Sequence, residues 1–171
     1  MRALFVIDML KDFLNADGAL YCGDSSRKII PFVKQEIEEF HKNMDLVVFI
    51  CDSHDPDDLE FKVFPKHSVT GTTGAEIIDE LPVEENDVII KKKRYSSFYG
   101  TNLDRVLKNH KVSEVYVVGV CTSICVMDTV GDLRNRDLSV IVYKKGVADF
   151  DPEAHEFALR RMEKTYAAKI L

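Results

Sequence analysis

The sequence predicts an α/β domain of three layers, with helices on both faces of a mostly parallel central sheet of five to six strands. Three observations carry that prediction. Apolar runs of strand length recur along the 171 residues and are continuous rather than alternating. Strands buried on both faces read this way, as in parallel sheets. Between the runs lie segments with apolar residues at helical spacing. Strand and helix therefore alternate, the pattern of a parallel sheet covered on both sides.

The elements follow in order. "ALFVIDM" (3–9) is the first strand. A helix is predicted over 26–42, where Ile30, Val33, Ile37 and Phe40 repeat, with Ser25 and Ser26 as candidate caps and Pro31 tolerated in the first turn. "LVVFIC" (46–51) is the second strand. A long irregular stretch follows, "DSHDPDDLEFKVFPKHSVTGT" (52–72); a loop of that length in a compact domain is usually functional. "DVIIK" (87–91) and "EVYVVGV" (114–120) are strands three and four, around a helix at 102–109 carrying Leu103, Val106 and Leu107. A helix over 122–135 carries Val126, Val130 and Leu133. "SVIVYK" (139–144) is strand five, and a helix over 152–163 carries Phe157, Leu159 and Met162. "AAKIL" (167–171) admits a short sixth strand. No repeat, linker or low-complexity tract interrupts 1–171, so a single domain is expected.

Composition narrows the function classes. Hydrophobic residues make up 46% and charged residues 30%, an ordinary globular balance. A net charge of −6 argues against nucleic acid or an anionic membrane as partner. The opening "MRALFVIDML" is too short an apolar run for a signal peptide, and no segment approaches ~18–20 apolar residues. A cytoplasmic protein is expected. The four cysteines, Cys22, Cys51, Cys121 and Cys125, are too few and scattered for a disulfide framework. They read as free thiols, metal ligands or nucleophiles.

In open α/β sheets, ligands bind beyond the carboxyl ends of the strands. Asp8 ends strand one, Asp52 follows strand two, Lys91 to Lys93 end strand three, and Cys121 ends strand four. Asp8, set between apolar residues, must be paired or functional, or else caps the next loop. "KKKR" (91–94) reads as a solvated charge cluster, or as a source of one lysine drawn inward to a buried acid. Cys121 and Cys125 have poor spacing for zinc, with no second cysteine pair and no nearby histidine. They also lack the C-x-x-C spacing of redox pairs. A nucleophile in the first helical turn remains, where free N–H groups and the dipole lower a thiol pKa and can hold an oxyanion. Cys125 lies in that turn if Thr122 or Ser123 is the N-cap. Cys121 is then a small buried residue. Asp52, His54 and His67 mix donor types suited to zinc, iron or manganese, with Glu60 as a candidate fourth ligand. Loop histidines are also often simply exposed. "DPDD" (55–58) reads as loop acid rather than ligand, and His41, His110 and His155 are given no role.

Together these segments resemble the isochorismatase-like cysteine hydrolases and, within them, the nicotinamidase/pyrazinamidase branch. "LFVIDMLKDF" is similar to the family's opening strand, with Asp8 at its catalytic aspartate and Phe13 at a following aromatic. "CDSHD" and "FPKHSVTGTTGAEI" resemble the nicotinamidase metal loop. "KKKRYSSFYGTNLD" resembles the lysine segment, whose K-x-x-Y spacing counts back from Tyr95 to Lys92. "VVGVCTSICV" resembles the nucleophile segment, with Cys125 at the catalytic position, and "VADFDPEAHEFALRRM" the closing helix.

The resemblance implies an amidase with catalytic Asp8, Lys92 and Cys125, passing through a Cys thioester. It implies backbone N–H groups of Cys121 and Cys125 for the oxyanion, and a peptide before Cys121 that is often cis in the family. It implies a divalent metal, zinc with iron or manganese as alternatives, on Asp52, His54 and His67, and ring walls from Phe13, Phe64 and Tyr95. The expected substrate is a small amide, nicotinamide, in the salvage of NAD, and the expected assembly a homo-oligomer. "RYSSFYGT" also resembles metal-free relatives acting on another amide, a carbamoyl compound or a vinyl ether.

Overall fold

A computed structural model describes all of residues 1–171. Six parallel strands form one sheet in the order β3-β2-β1-β4-β5-β6. They are β1 Arg2–Ile7, β2 Leu46–Asp52, β3 Val88–Lys92, β4 Glu114–Val120, β5 Ser139–Ala148 and β6 Lys169–Ile170. The helices are α1 Lys11–Leu14, α2 Asp24–Lys28, α3 Ile30–Lys42, α4 Leu103–Asn109, α5 Met127–Arg134 and α6 Pro152–Lys164.

Pleating divides the sheet between two cores. Ala3, Phe5 and Ile7 of β1 face α4, α5 and α6, where Leu103, Val130, Leu133 and Met162 are buried. Leu4 and Val6 face the other way, onto Val33, Ile37 and Phe40 of α3. Both faces are apolar because both are covered, hence the continuous runs in the sequence.

The strand order reverses at β1, which pairs with β2 on one side and β4 on the other. A crevice opens beyond the strand ends at such a switch point. Gly119 allows close approach there: its φ is 119°, and a Cβ at that position would stand 2.0 Å from the Ile7 carbonyl oxygen. The Val120–Cys121 peptide is cis.

The structure corrects several expected boundaries. β1 ends at Ile7, and the next residue, Asp8, turns the chain with φ 52°. The helix expected over 26–42 is two helices with Ile29 between them, a break masked by apolar residues on both sides. Neither Ser25 nor Ser26 caps it: Gly23 occupies the N-cap of α2, and Ser26 Oγ donates back to the Gly23 carbonyl at 2.6 Å. Pro31 does sit in the first turn of α3. The expected 122–135 helix begins as a π-helical turn, Thr122–Val126, before α5. β5 continues to Ala148 across a bulge, where pairing jumps from Val117–Val142 to Gly119–Val147. No helix is long and apolar enough to cross a membrane.

Candidate active site

The ends of β1, β3 and β4 bring three side chains together. Asp8 leaves β1 in a left-handed conformation, which Asp tolerates better than most residues. Its Oδ1 accepts from the Asp52 N–H at 2.9 Å, and its Oδ2 faces Lys92 Nζ at 2.9 Å. Oδ2 makes no well-aligned hydrogen bond, so an acceptor site stays open. Lys92, the last residue of β3, is fully buried, while Lys91 and Lys93 on either side are exposed. The alternation of a strand decides which lysine turns inward. Lys92 Nζ also pairs with Asp52 Oδ1 and lies 3.4 Å from Cys125 Sγ. Donor atoms of Asp8, Asp52 and Cys125 lie within 4.8 Å of one another.

Electrostatics follow from burial. Burial and the Asp52 charge push Asp8 up to about 6, against the opposing pull of Lys92. Burial alone would lower Lys92, but Asp52, Asp8 and Cys125 hold it well above its ordinary value. Burial raises the Cys125 thiol well above its ordinary range; Lys92 opposes this, while Asp8 and Asp52 add to it. The expectation that a helix terminus lowers this thiol's pKa is corrected. Two buried carboxylates and desolvation outweigh one lysine, so the resting group is a neutral thiol beside a base.

Cys125 lies in the π-helical turn, and Cys121, rather than Thr122 or Ser123, is its cap residue. The Cys121 carbonyl accepts from the N–H groups of Ile124 (3.1 Å) and Val126 (3.2 Å), passing over Cys125. The Cys121 N–H donates to no protein acceptor. Cys121 does not pair with Cys125; its sulfur lies 3.2 Å from that of Cys22.

A second group of donors lies across the pocket, on the irregular segment after β2. Asp52 Oδ2 is 3.6 Å from His54 Nε2 and 3.9 Å from His67 Nε2. Glu60 Oε1 is 3.9 Å from both imidazole nitrogens. His67 Nδ1 donates to the Pro65 carbonyl at 2.7 Å, and His54 Nδ1 meets Asp58 Oδ2 at 3.1 Å. Both rings therefore turn Nε2 towards Asp52 and Glu60. His54 Nε2 and Glu60 Oε2 are buried without a hydrogen-bond partner. Buried polar atoms are rarely left unpaired. Tetrahedral ligands ~2.0–2.2 Å from a cation stand roughly 3.3–3.6 Å apart, close to the spacing seen here. Two imidazoles and carboxylates with converging lone pairs suit a first-row divalent cation.

The pocket between the two groups opens to solvent and, counted with its open mouth, holds about 400 Å³ of empty space. Asp8, Cys125, Asp52, Glu60 and His67 all reach it, with Phe13, Phe64 and Tyr95 on its walls. Phe13 packs against the His67 ring, centroids 5.4 Å apart. Leu20, Cys22, Ile124 and Phe150 also line it and were not foreseen. Only the fold brings them there, Phe150 from the turn between β5 and α6. His41 instead pairs with Asp87 at 2.8 Å, and His155 Nδ1 meets Thr122 Oγ1 at 2.9 Å, both away from the pocket walls.

Known proteins share this arrangement's framework. The isochorismatase domain model matches residues 2–170. The Bacillus subtilis isochorismatase family protein PncA, described as uncharacterized, is 36% identical over 99% of this chain and 98% of its own. A crystal structure of the nicotinamidase/pyrazinamidase PncA from B. subtilis superposes with a TM-score of 0.94 at 36% identity, covering 99% of this chain and 98% of that one. The Pyrococcus horikoshii pyrazinamidase in complex with zinc gives 0.93 at 34% identity, with 99% and 98% coverage. N-carbamoylsarcosine amidase from Thermoplasma acidophilum gives 0.90 at 34% identity, with 99% and 94% coverage. The chain belongs to the isochorismatase family, and its fold and relatives are those of amide-hydrolysing enzymes.

Proposed function

We propose that this isochorismatase family member is a nicotinamidase, converting nicotinamide to nicotinate and ammonia. One observation carries the reading: a base–lysine–thiol cluster and an open set of imidazole and carboxylate donors face each other across one pocket with aromatic walls. An amide on such a ring would meet Cys125, and a ring nitrogen the donor set.

Asp8 accepts the Cys125 proton as the sulfur attacks the carboxamide carbon, the open lone pair on Oδ2 being the acceptor. A base near 6 takes that proton and can return it near neutral pH. The proton then goes to the departing ammonia, leaving a thioester on Cys125. Asp8 next draws a proton from water as the oxygen attacks the thioester; the carbon–sulfur bond breaks, the acid leaves and the proton passes from Asp8 to the Cys125 sulfur. Lys92 keeps Asp8 oriented and offsets the negative charge that develops on sulfur. The unbonded Cys121 N–H, with that of Cys125, is available to the oxyanion. Phe13, Phe64 and Tyr95 flank the ring.

Asp52, His54 and His67, with Glu60, would hold a divalent cation, zinc first, with iron or manganese as alternatives. Bound there, it supplies a Lewis-acidic contact that positions a ring nitrogen. The activity would return nicotinamide to the synthesis of NAD in the cytoplasm, in a homo-oligomer. The test is ammonia release from nicotinamide by purified protein, with and without a chelator. Turnover that falls on chelation and returns with zinc supports the reading. No turnover in the zinc-loaded protein overturns it.

A second reading has a specific basis. In it the chain is a metal-free hydrolase of another amide, a carbamoyl compound or a vinyl ether, and the likeness to N-carbamoylsarcosine amidase supports the carbamoyl substrate. The buried unpaired His54 Nε2 weighs against it. Carbamoyl turnover with no bound metal would favour it.

A further inference from the structure

The basic segment that ends β3 does more than supply Lys92. Two residues on, Arg94 Nη1 donates to both carboxylate oxygens of Asp58 at 3.0 Å. Asp58 Oδ2 meets His54 Nδ1 at 3.1 Å, and its Oδ1 accepts from the Glu60 N–H at 2.9 Å. The Asp58 side chain is only 4% exposed, although it lies in a run of loop acids. Its neighbour Asp55 shows the contrast: it pairs with Lys93 in the open, at 56% and 53% exposure. Lys92 thus closes β3 in the catalytic cluster, and in the bends that follow Lys93 goes to solvent and Arg94 to the loop.

We infer that Asp58 and Arg94 are positioning residues for a divalent cation on the loop. Asp58 holds the proton on His54 Nδ1 and presents the Nε2 lone pair to the site. Arg94 holds Asp58 and ties the loop to the strand that carries Lys92. The inference rests on the metal reading above and extends it to residues that touch neither cation nor substrate. An imidazole whose far N–H meets a carboxylate is fixed in tautomer and orientation and is a better donor. The Glu60 N–H contact adds a second effect: the same carboxylate sets where the fourth donor's backbone lies. His67 is the internal control, because its Nδ1 donates to the Pro65 carbonyl and touches no acid.

The experiment is zinc affinity, measured by competition with a chromophoric chelator, on the full chain and its variants. Asp58→Asn, which keeps the volume and an acceptor, should weaken zinc binding about 10–100-fold. Arg94→Ala, a truncation at a partly exposed site, should weaken it less. Asp55→Asn should leave it unchanged. Imidazole nitrogen NMR of the zinc-loaded protein supplies a readout that general destabilisation would not mimic. In Asp58→Ala the His54 Nδ1–H signal should broaden through exchange with water, while that of His67 stays. Wild-type zinc affinity in both Asp58→Asn and Arg94→Ala overturns the inference, as do His54 and His67 signals that change together. A wild-type chain that binds no zinc overturns the metal reading itself, and this inference with it.

Discussion

The two ends of the pocket are built differently. The Cys125 end stands on the ends of regular elements: Asp8 after β1, Lys92 closing β3, Cys125 in the π-helical turn after β4. One lysine gathers Asp8, Asp52 and the thiol, and only the proton-accepting Asp8 Oδ2 keeps a lone pair free. The other end stands on an irregular segment, and its donors point at one another with His54 Nε2 and Glu60 Oε2 unpaired. The first is a closed ionic network, the second an open one. Groups that pass a proton among themselves need fixed distances, which strand ends supply. Groups that receive a cation need lone pairs left free. Asp52 belongs to both: its N–H binds Asp8, one oxygen binds Lys92, and the other faces the histidines.

Breaking the closed network should have the largest effects. Cys125→Ala should abolish ammonia release while nicotinamide still binds, since the opposite end of the pocket is untouched; kinetics and binding calorimetry separate the two. Asp8→Asn and Lys92→Ala should each lower kcat/KM by about 10³-fold or more, in line with loss of proton transfer in a preorganised site. Removing Lys92 also strands two buried carboxylates, so its melting temperature should fall as well. Lys91→Ala and Lys93→Ala should change little, because both side chains are exposed. Equal losses from all three lysines would replace the specific network with a diffuse positive field.

How much of this was legible follows the same division. The central strands were readable because they bury both faces and are apolar almost throughout, as "LVVFIC" shows. α1 was missed: four residues are too few for a periodic signal. β5 was read short because its second half, with Lys144, Lys145 and Gly146, turns polar and bulges. At the site, donor types and strand-end positions were visible, and the structure gathers Asp8, Lys92 and Cys125, and Asp52, His54, His67 and Glu60. The choice of Lys92 among three lysines came from family spacing, not from charge. What stayed hidden depends on contacts between distant segments. The sharing of Lys92 by Asp8 and Asp52, the burial of Asp58 under Arg94, and the thiol's upward shift are of this kind.

The open end should give intermediate effects, through positioning rather than proton transfer. His54→Ala removes one of three protein donors that face each other directly, so it should lose bound metal by elemental analysis. It should also lose nicotinamide turnover by about 100-fold, the scale of a ~1 Å misplacement. Benzamide has the same ring shape without the nitrogen. The wild type should prefer nicotinamide over it strongly, and His54→Ala should lose most of that preference. Full metal content with the preference intact would detach the loop from the reaction. Glu60→Ala should be milder in both respects, because water can take the place of a fourth ligand.

The smallest effect belongs to Cys121, and it separates backbone from side chain at the closed end. Its sulfur faces Cys22 at 3.2 Å, not the lysine or the base, and the Cys22 contact and then burial push its thiol far above the usual range. The Cys125 thiol is raised too, but it has Lys92 at 3.4 Å and Asp8 beside it to take its proton, whereas Cys121 has only another thiol as side-chain partner. Its N–H, by contrast, is free of any protein acceptor beside the pocket. Cys121→Ala keeps that N–H and removes only the sulfur, so nicotinamide turnover should stay within a few-fold of wild type. Stability should fall by about 1 kcal/mol, as for a modest core truncation, visible as a small drop in melting temperature. The paired comparison with Cys125→Ala is decisive because both cysteines line one pocket four residues apart. If Cys121→Ala were inactive and Cys125→Ala active, the nucleophile would be the thiol against Cys22, and the shared lysine would have no bond-making partner.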